Sequence, residues 1–598
     1  MAVEEKLFVR KATGLVREIG FLTAIIITIA NTVGLGWQKR VFQFTGAAPL
    51  PENQYLAGIT PMTMAFIIGG IVILLSVLSV AVLSAAMPRS GGGYVVVSRI
   101  VGPFWGFLGA WLEFLSIAWS FGIIAVNVFE GLYFIFGPMA FGLSFTAPGG
   151  IAADSFLFLV GLGLVVLFTV IAVFGVRLTG ILLQVMFFIP AILTFYVFGL
   201  LGSANPDTIT QGMARLPEWP AAITPADYVA VATDPARGLP TGDLIQNQVA
   251  GIGGYWGAVS TAMIGAYFAY IGYAASSFVG GEIKEANRKL PRAIILASLL
   301  IMGLYVFISV AGAAAIRGVA QVTIPGVGDY SLLSAWSYLD HNLGVLGPDG
   351  GFGLPSLGLW TTTVAGLSAS GIGLGGANVL LVFFGVLWIA NDIPPFILTA
   401  SRILFAMSFD RVLPTPLASV NDRFHSPVNA VIVTGIVAVL GVASESALFN
   451  RGGSLNQGGN DFLHAALSNG GGVITTDLMD AVFFTLFALS LIMLPLRASK
   501  KQIFDTAPYK PGGKWGMVGL GVAALGANLY LDWLLLTAPG GSFDLLQIGR
   551  VVTNPLIDLW SLWFTMIIVP VIGIALYLVH RMRPGVNYST IFAQIPPE

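Results

Sequence analysis

Apolar residues along this chain are gathered into long runs separated by shorter polar stretches. Six runs lie near 20–44, 62–86, 103–131, 154–175, 179–202 and 255–281. Six more follow near 293–316, 374–408, 428–448, 474–496, 515–537 and 556–580. Most are close to, or above, the ~20 residues that carry a helix across the hydrocarbon core of a bilayer. Backbone polar groups find no partner in lipid, so such runs cross as helices. The pattern predicts an all-α integral membrane protein with about twelve transmembrane helices. The longest polar interruptions, 203–254, 317–373 and 449–473, collect Gly and Pro and are expected to be loops.

Composition sharpens this picture. Hydrophobic residues make up 56% of the 598 and charged residues only 10%, against roughly 25% charged in ordinary globular chains. There is no cysteine, which excludes disulfides, thiolate metal sites and a cysteine nucleophile. Four histidines weaken any haem or multi-histidine metal reading. A net charge of −1 by itself says nothing about a nucleic-acid or acidic partner, so the distribution of charge matters more than its sum; no nucleic-acid partner is expected of a chain of this class. Most Lys and Arg fall in segments on the N-terminal side of the predicted membrane, notably Lys284, Arg288, Lys289 and Arg292, then Arg497, Lys500, Lys501, Lys510 and Lys514. Positive residues favour the cytoplasm, so both termini are expected there and the three long loops outside, in a multi-pass protein of the cell membrane. Segment 1–19 mixes Lys6, Arg10, Lys11 and Arg17 with Glu4, Glu5 and Glu18. No convincing small-residue cleavage site comes after it, so it is expected to be a retained cytoplasmic segment.

Two spans are poorly built as plain anchors. The first reads Thr28-Ile29-Ala30-Asn31-Thr32-Val33-Gly34-Leu35-Gly36-Trp37, with two glycines at mid-span. The sixth reads Tyr267-Phe268-Ala269-Tyr270-Ile271-Gly272-Tyr273, with small residues after it. Close helix packing explains small residues equally well when either span is taken alone. Their positions favour function, because they lead two candidate five-helix halves, and interruptions at matching places in two repeats point to a transport site. Freed amides at a half-helix N-terminus suit a carboxylate. Freed carbonyls suit an ammonium group.

At these residues the chain resembles the amino acid–polyamine–organocation permeases. Gly34-Leu35-Gly36 matches the Gly-x-Gly core of their first helix, with Ala30 in place of the leading glycine. Pro88-Arg89-Ser90-Gly91-Gly92-Gly93-Tyr94 resembles their turn between spans two and three. Gly106-Phe107 through Trp111 resembles the start of their third span. Tyr267 to Gly272 is similar to their helix six, and Glu282 to Ile294 to the segment after it, with Ala286 replacing a proline. Ser401-Arg402, Ala406-Met407 and Asp410 to Pro414 are similar to the end of their helix eight, and Pro427 begins span nine. The resemblance implies a leucine-transporter-type fold of five-plus-five inverted repeats and two further helices. Its parts are 20–202, the outer loop 203–254, 255–496, and 497–598 with a cytoplasmic tail. It also implies an amino acid permease working by alternating access.

Carried over residue by residue, the resemblance sets the substrate carboxylate at amides around Gly34, Leu35 and Gly36. It sets the amino group at carbonyls near Thr32, Phe268, Ala269 and Ile271. Phe268 becomes an aromatic lid, with core filler as the simpler alternative. Some proton-coupled relatives carry a lysine in helix five. Pro190 occupies that register and span five has no lysine. Ala274 stands where many relatives are acidic.

Charges inside the spans supply other candidates. Asp392 lies within span eight in Asn391-Asp392-Ile393-Pro394-Pro395. An unpaired Asp at the bilayer centre costs ~2.5–3.5 kcal/mol on insertion scales. The two prolines cannot donate amide hydrogen bonds, which suggests a third interrupted helix. Asp392 and Asn391 are therefore candidates for coupling to a proton or sodium ion, or Asp392 for sensing a cationic substrate group, against a purely structural carboxyl at a kink. Glu113 is expected to make an inner-side contact, Asp477, Asp480 and Asp532 to be solvated near outer helix ends, and Lys39 and Arg40 to snorkel outward. No zinc, nucleophile-elbow or phosphate-loop motif is present, so no enzyme and no cofactor is expected. An organic-amine or polyamine transporter or exchanger, and an amino acid receptor that does not transport, are the alternatives. Metal binding and oligomeric state are not legible.

Overall fold

A computed structural model of the chain describes residues 14–137, 153–216, 219–237, 244–249, 252–341, 353–446, 467, 470–537, 563–583 and 586–596. Most of segment 1–19, most of the loop 449–473, the start of the last expected span and parts of the other long loops lie outside these residues. Among the described residues the regular structure is helical apart from one small hairpin, Val322–Ile324 with Gly328–Tyr330. Ten described helices are long and apolar enough to cross a membrane. Shorter apolar helices, Phe21–Ala30 and Met566–Arg581, stand where the first and twelfth spans are expected.

Local signals explain several boundaries. Span 2, Pro61–Ala86, starts with proline at its first position and Thr60 capping the Thr63 amide. Span 3, Pro103–Asn127, likewise starts on a proline after Gly102. Spans 4 and 5 are Ala153–Val173 and Val176–Ser203, and span 7 is Ala286–Ile316. Span 9 is Val428–Glu445, span 10 Gly470–Leu496 and span 11 Gly513–Thr537. Spans 1, 2, 6 and 7 pack on one another, and spans 3, 4, 8 and 9 form a second group. Span 3 is almost wholly buried between neighbours, while spans 4 and 5 expose most of their apolar surface. Phe195 and Ile192, 77% and 67% exposed on span 5, therefore fit a lipid-facing wall.

Three spans are interrupted. Span 1 runs as Phe21–Ala30, then turns over 31–34, then Gly36–Arg40 and Val41–Gly46. Span 6 runs as Gly254–Tyr270, breaks over 271–274, and resumes as Ala275–Phe278. Span 8 is Asn378–Ala390 and Ile393–Phe409, joined through Asn391 and Asp392. That third joint keeps right-handed helical dihedrals at both residues, so it is a kink rather than an unwound stretch.

We term inner the face carrying Ile19 and Glu282, after the charge-based expectation, and the opposite face outer. On the inner face the family-like segments converge. Ile19 donates to the Glu282 carbonyl and accepts from the Lys284 amide. Gly91 donates to the Phe278 carbonyl. Glu282 and Arg402, both fully buried, form a two-pronged ion pair at 2.8 and 2.9 Å. Arg99 grips Asp410 with two nitrogens, one at 2.7 Å.

The outer connections are less irregular than their Gly and Pro content suggests. They hold the helices Pro206–Arg215, Pro225–Thr233, Leu332–His341 and Trp360–Gly371, too short to register as spans. Leu332–His341 packs on the outer half of span 1, and Trp360 donates to the Trp37 carbonyl at 2.8 Å. Glu52, 4% exposed, clasps the same helix. It accepts from the Ser331 hydroxyl at 2.5 Å, the Ser331 amide at 3.1 Å and the Ser334 hydroxyl at 2.9 Å.

Several charges sit elsewhere than expected. Lys39 does not snorkel outward but pairs with Glu130. Arg40 is 6% exposed and reaches Gln43 at 3.1 Å and Glu445 at 3.5 Å. Asp477 and Asp480 are each 2% exposed, because spans 3, 6 and 11 cover that part of span 10. Asp532 is half-buried and accepts from Thr485 at 2.9 Å. Glu113 meets span 10 at Asp480, which replaces the expected inner-side contact.

Candidate functional site

The interruptions in spans 1 and 6 lie side by side. Gly36 is required there: a β-carbon on it would overlap the Ala269 backbone, so the helices cross at main-chain distance. The inner halves are joined by Thr28, whose hydroxyl donates to Ser276 at 2.8 Å. The outer half of span 1 restarts at Leu35 and Gly36. First-turn amides of a helix have no partner within it, so those of this half face the break.

A cavity opens at this crossing, and Asn31, Thr32, Gly36, Phe268, Ile271 and Asp392 line it. Ser116, Ser120, Arg40, Thr476 and Asp477 line it as well. Of the residues anticipated from sequence, Thr32, Gly36, Phe268, Ile271 and Asp392 are thus brought onto one surface. Phe268 is half-buried at its edge. Gly34, Leu35 and Ala269 do not line it, and Asn391 points away, donating to the Met186 carbonyl of span 5 at 3.2 Å.

Three of the anticipated backbone groups already have partners. The hydroxyl of Tyr305, on span 7, lies 2.6 Å from the Thr32 carbonyl and 2.7 Å from the Ala269 carbonyl. Its single hydrogen serves one of them at a time. Tyr305 is fully buried and stacks on Trp37 at 6.3 Å between ring centroids. Sequence reasoning missed it, since a tyrosine within an ordinary apolar run gives no local signal. The third is the Leu35 amide, which hydrogen-bonds the Asp392 carboxyl group. Asp392 is 4% exposed and its Oδ1 has no hydrogen-bond partner. The amide end of the first break is therefore already met by an acidic side chain of the chain itself. Asn31 Oδ1 is also buried without a partner, leaving an acceptor on the cavity wall.

Such a surface suits a small zwitterion: backbone amides and carbonyls at helix ends, an aromatic edge, and one buried acid. Among the described residues no group of three or more His, Asp or Glu side chains is arranged to hold a metal ion.

Comparison with known proteins agrees. The chain is 26% identical to an uncharacterized transporter of Mycobacterium tuberculosis, over 72% of this chain and 74% of that protein. It is 25% identical to a serine/threonine exchanger of Bacillus subtilis, over 50% and 55% of the two chains. It is 24% identical to a branched-chain amino acid permease of the same organism, over 71% and 74%. A family model described as amino acid permease matches residues 19–339 and 356–576. With nearly the whole chain inside that match, and a family-like pair of broken helices at its centre, this transporter belongs to the amino acid permease family.

Proposed function

We propose that the protein carries amino acids across the cell membrane by alternating access, with the substrate held between the breaks of spans 1 and 6. The observation that carries this reading is the cavity formed where both helices lose their backbone hydrogen bonding, lined by Thr32, Gly36, Phe268 and Ile271. The substrate carboxylate binds the amides around Gly34, Leu35 and Gly36. The ammonium group binds carbonyls at Thr32, Phe268, Ala269 and Ile271. Each span group, 1-2-6-7 and 3-4-8-9, moves as a body around that site.

Asp392 adds a coupling step. To reach the Leu35 amide, the substrate carboxylate displaces that of Asp392. Two carboxylates at one set of amides repel, so the displaced acid takes a proton or a sodium ion. Asn391 steadies the kink from which Asp392 projects. The relatives named for serine, threonine and branched-chain substrates support a neutral amino acid as the cargo.

Reconstitution in liposomes tests the reading. Labelled amino acids are offered with imposed proton or sodium gradients, and with amino acid inside for exchange. Uptake or exchange of at least one amino acid is expected. No flux in sealed, correctly loaded vesicles overturns the reading. Full ion dependence retained in Asp392→Asn removes the coupling role.

A further inference from the structure

A second buried acidic group runs from the cavity wall into the packing between spans 3, 6 and 10. Span 10 carries Asp477 and Asp480 one turn apart, and span 3 carries Glu113. All three are 2% exposed. Asp480 Oδ2 accepts from the Tyr267 hydroxyl of span 6 at 2.6 Å. The Glu113 carboxyl meets Asp480 within hydrogen-bonding range. Two carboxylates in direct contact inside a protein cannot both be ionised, so this pair must hold a proton between them.

Its surroundings separate a route for that proton from a purely structural bond. Asp477 sits on the cavity wall beside Thr476 and Ser116, and its Oδ2 is buried with no hydrogen-bond partner. Glu113 Oε2 is likewise buried without one. Other charges and titratable groups face the pair from the helices packed against it. Arg40 of span 1 acts on Asp477, Asp532 of span 11 acts on Asp480, and Tyr273 of span 6 faces both Asp480 and Glu113. A carboxylate has no hydrogen to donate, so the contact between the two acids itself calls for a proton.

We propose that Glu113 and Asp480 form an exchangeable proton-binding site, loaded from the cavity through Asp477 and linked to transport by Tyr267. The linkage comes from which helices hold the parts. Glu113 belongs to span 3, Asp480 to span 10, and Tyr267 lies one turn before the substrate break of span 6. A shift of Gly254–Tyr270 against spans 3 and 10 withdraws the Tyr267 donor and changes how tightly the pair holds its proton. The site thus reads the position of the helix that carries the substrate. This inference rests on the permease reading for its role in transport, though not for the existence of the proton.

Infrared spectroscopy of the purified full chain in lipid, stepped through pH, tests the site without any substrate. A protonated-carboxyl band is expected that titrates in the parent and is missing from Glu113→Gln and Asp480→Asn. Tyr267→Phe keeps both acids and is expected to move the midpoint of that band by about half a pH unit or more. In liposomes, Glu113→Gln is expected to keep amino acid exchange while losing tenfold or more of proton-driven accumulation. A band assigned to the pair that stays constant with pH overturns the site. So does proton-driven accumulation in Glu113→Gln equal to the parent's. Absence of any amino acid flux in the parent, with a titrating band intact, would instead count against the permease reading alone.

Discussion

Gly34 and Asp392 are in such close contact that a β-carbon at position 34 would overlap the Asp392 carboxyl group. The first glycine of the Gly-Leu-Gly stretch is therefore fixed by an acid 358 positions further along the chain. Gly34→Ala is expected to lower stability by about 1–3 kcal/mol through overpacking and to abolish uptake. The double variant Gly34→Ala with Asp392→Ala should recover part of that stability, because the clashing group is gone. Thermal melts of the purified variants measure both steps. Additive losses would mean the two residues are not in contact.

Tyr305→Phe removes the one hydroxyl shared by the Thr32 and Ala269 carbonyls. Leaving buried acceptors unsatisfied costs about 1–3 kcal/mol. Uptake is expected to fall about tenfold or more, since the two breaks lose their common tie. Parent-like uptake together with a parent-like melting temperature would rule this tie out.

The spans were legible because a bilayer demands about 20 apolar residues whatever the fold, and the breaks because Gly34, Gly36 and Gly272 interrupt such runs. Tyr305 was not, because its partners are 273 and 36 residues away and nothing in its own run marks it. Asp477 and Asp480 were misplaced for a related reason. Their distance from the start of the run suggested solvent, but depth along a helix does not reveal which neighbours cover it. Lys39 and Arg40 obey the same rule. Their burial depends on Glu130 and Glu445, acids that lie in distant parts of the chain.

Arg402→Ala leaves the Glu282 carboxylate buried without its cation. Breaking a buried pair in this way costs about 3–5 kcal/mol. Replacing both partners, as Arg402→Met with Glu282→Gln, is expected to cost clearly less. Denaturation in detergent compares the two. Equal losses would show that the pair itself, rather than the stranded charge, sets the cost.

Asp340, on the outer helix Leu332–His341, gives a pH dependence of known sign. Burial raises its pKa from 3.8 to about 7, with Glu130 adding to the rise and Lys39 and Arg40 opposing it. The folded protein thus holds this proton more tightly than the unfolded chain. The contribution is complete below pH 3.8, shrinks as pH rises through the window, and is lost above about 7. Asp340→Asn is expected to flatten the dependence of melting temperature on pH across that window. An unchanged slope would assign the dependence to another group.

The Glu52 clasp has a practical consequence at the outer surface. The hairpin Val322–Ile324 and Gly328–Tyr330 leads directly into the clasped Ser331 and is pinned to the same connector, with Asn53 accepting from the Asp329 amide at 3.1 Å and Gln54 donating to the Val327 carbonyl at 3.1 Å. Any displacement of the outer half of span 1 is carried to an exposed ribbon that a large reagent can reach. A nanobody selected on this ribbon would therefore report such a displacement from a surface well away from the cavity at the two breaks.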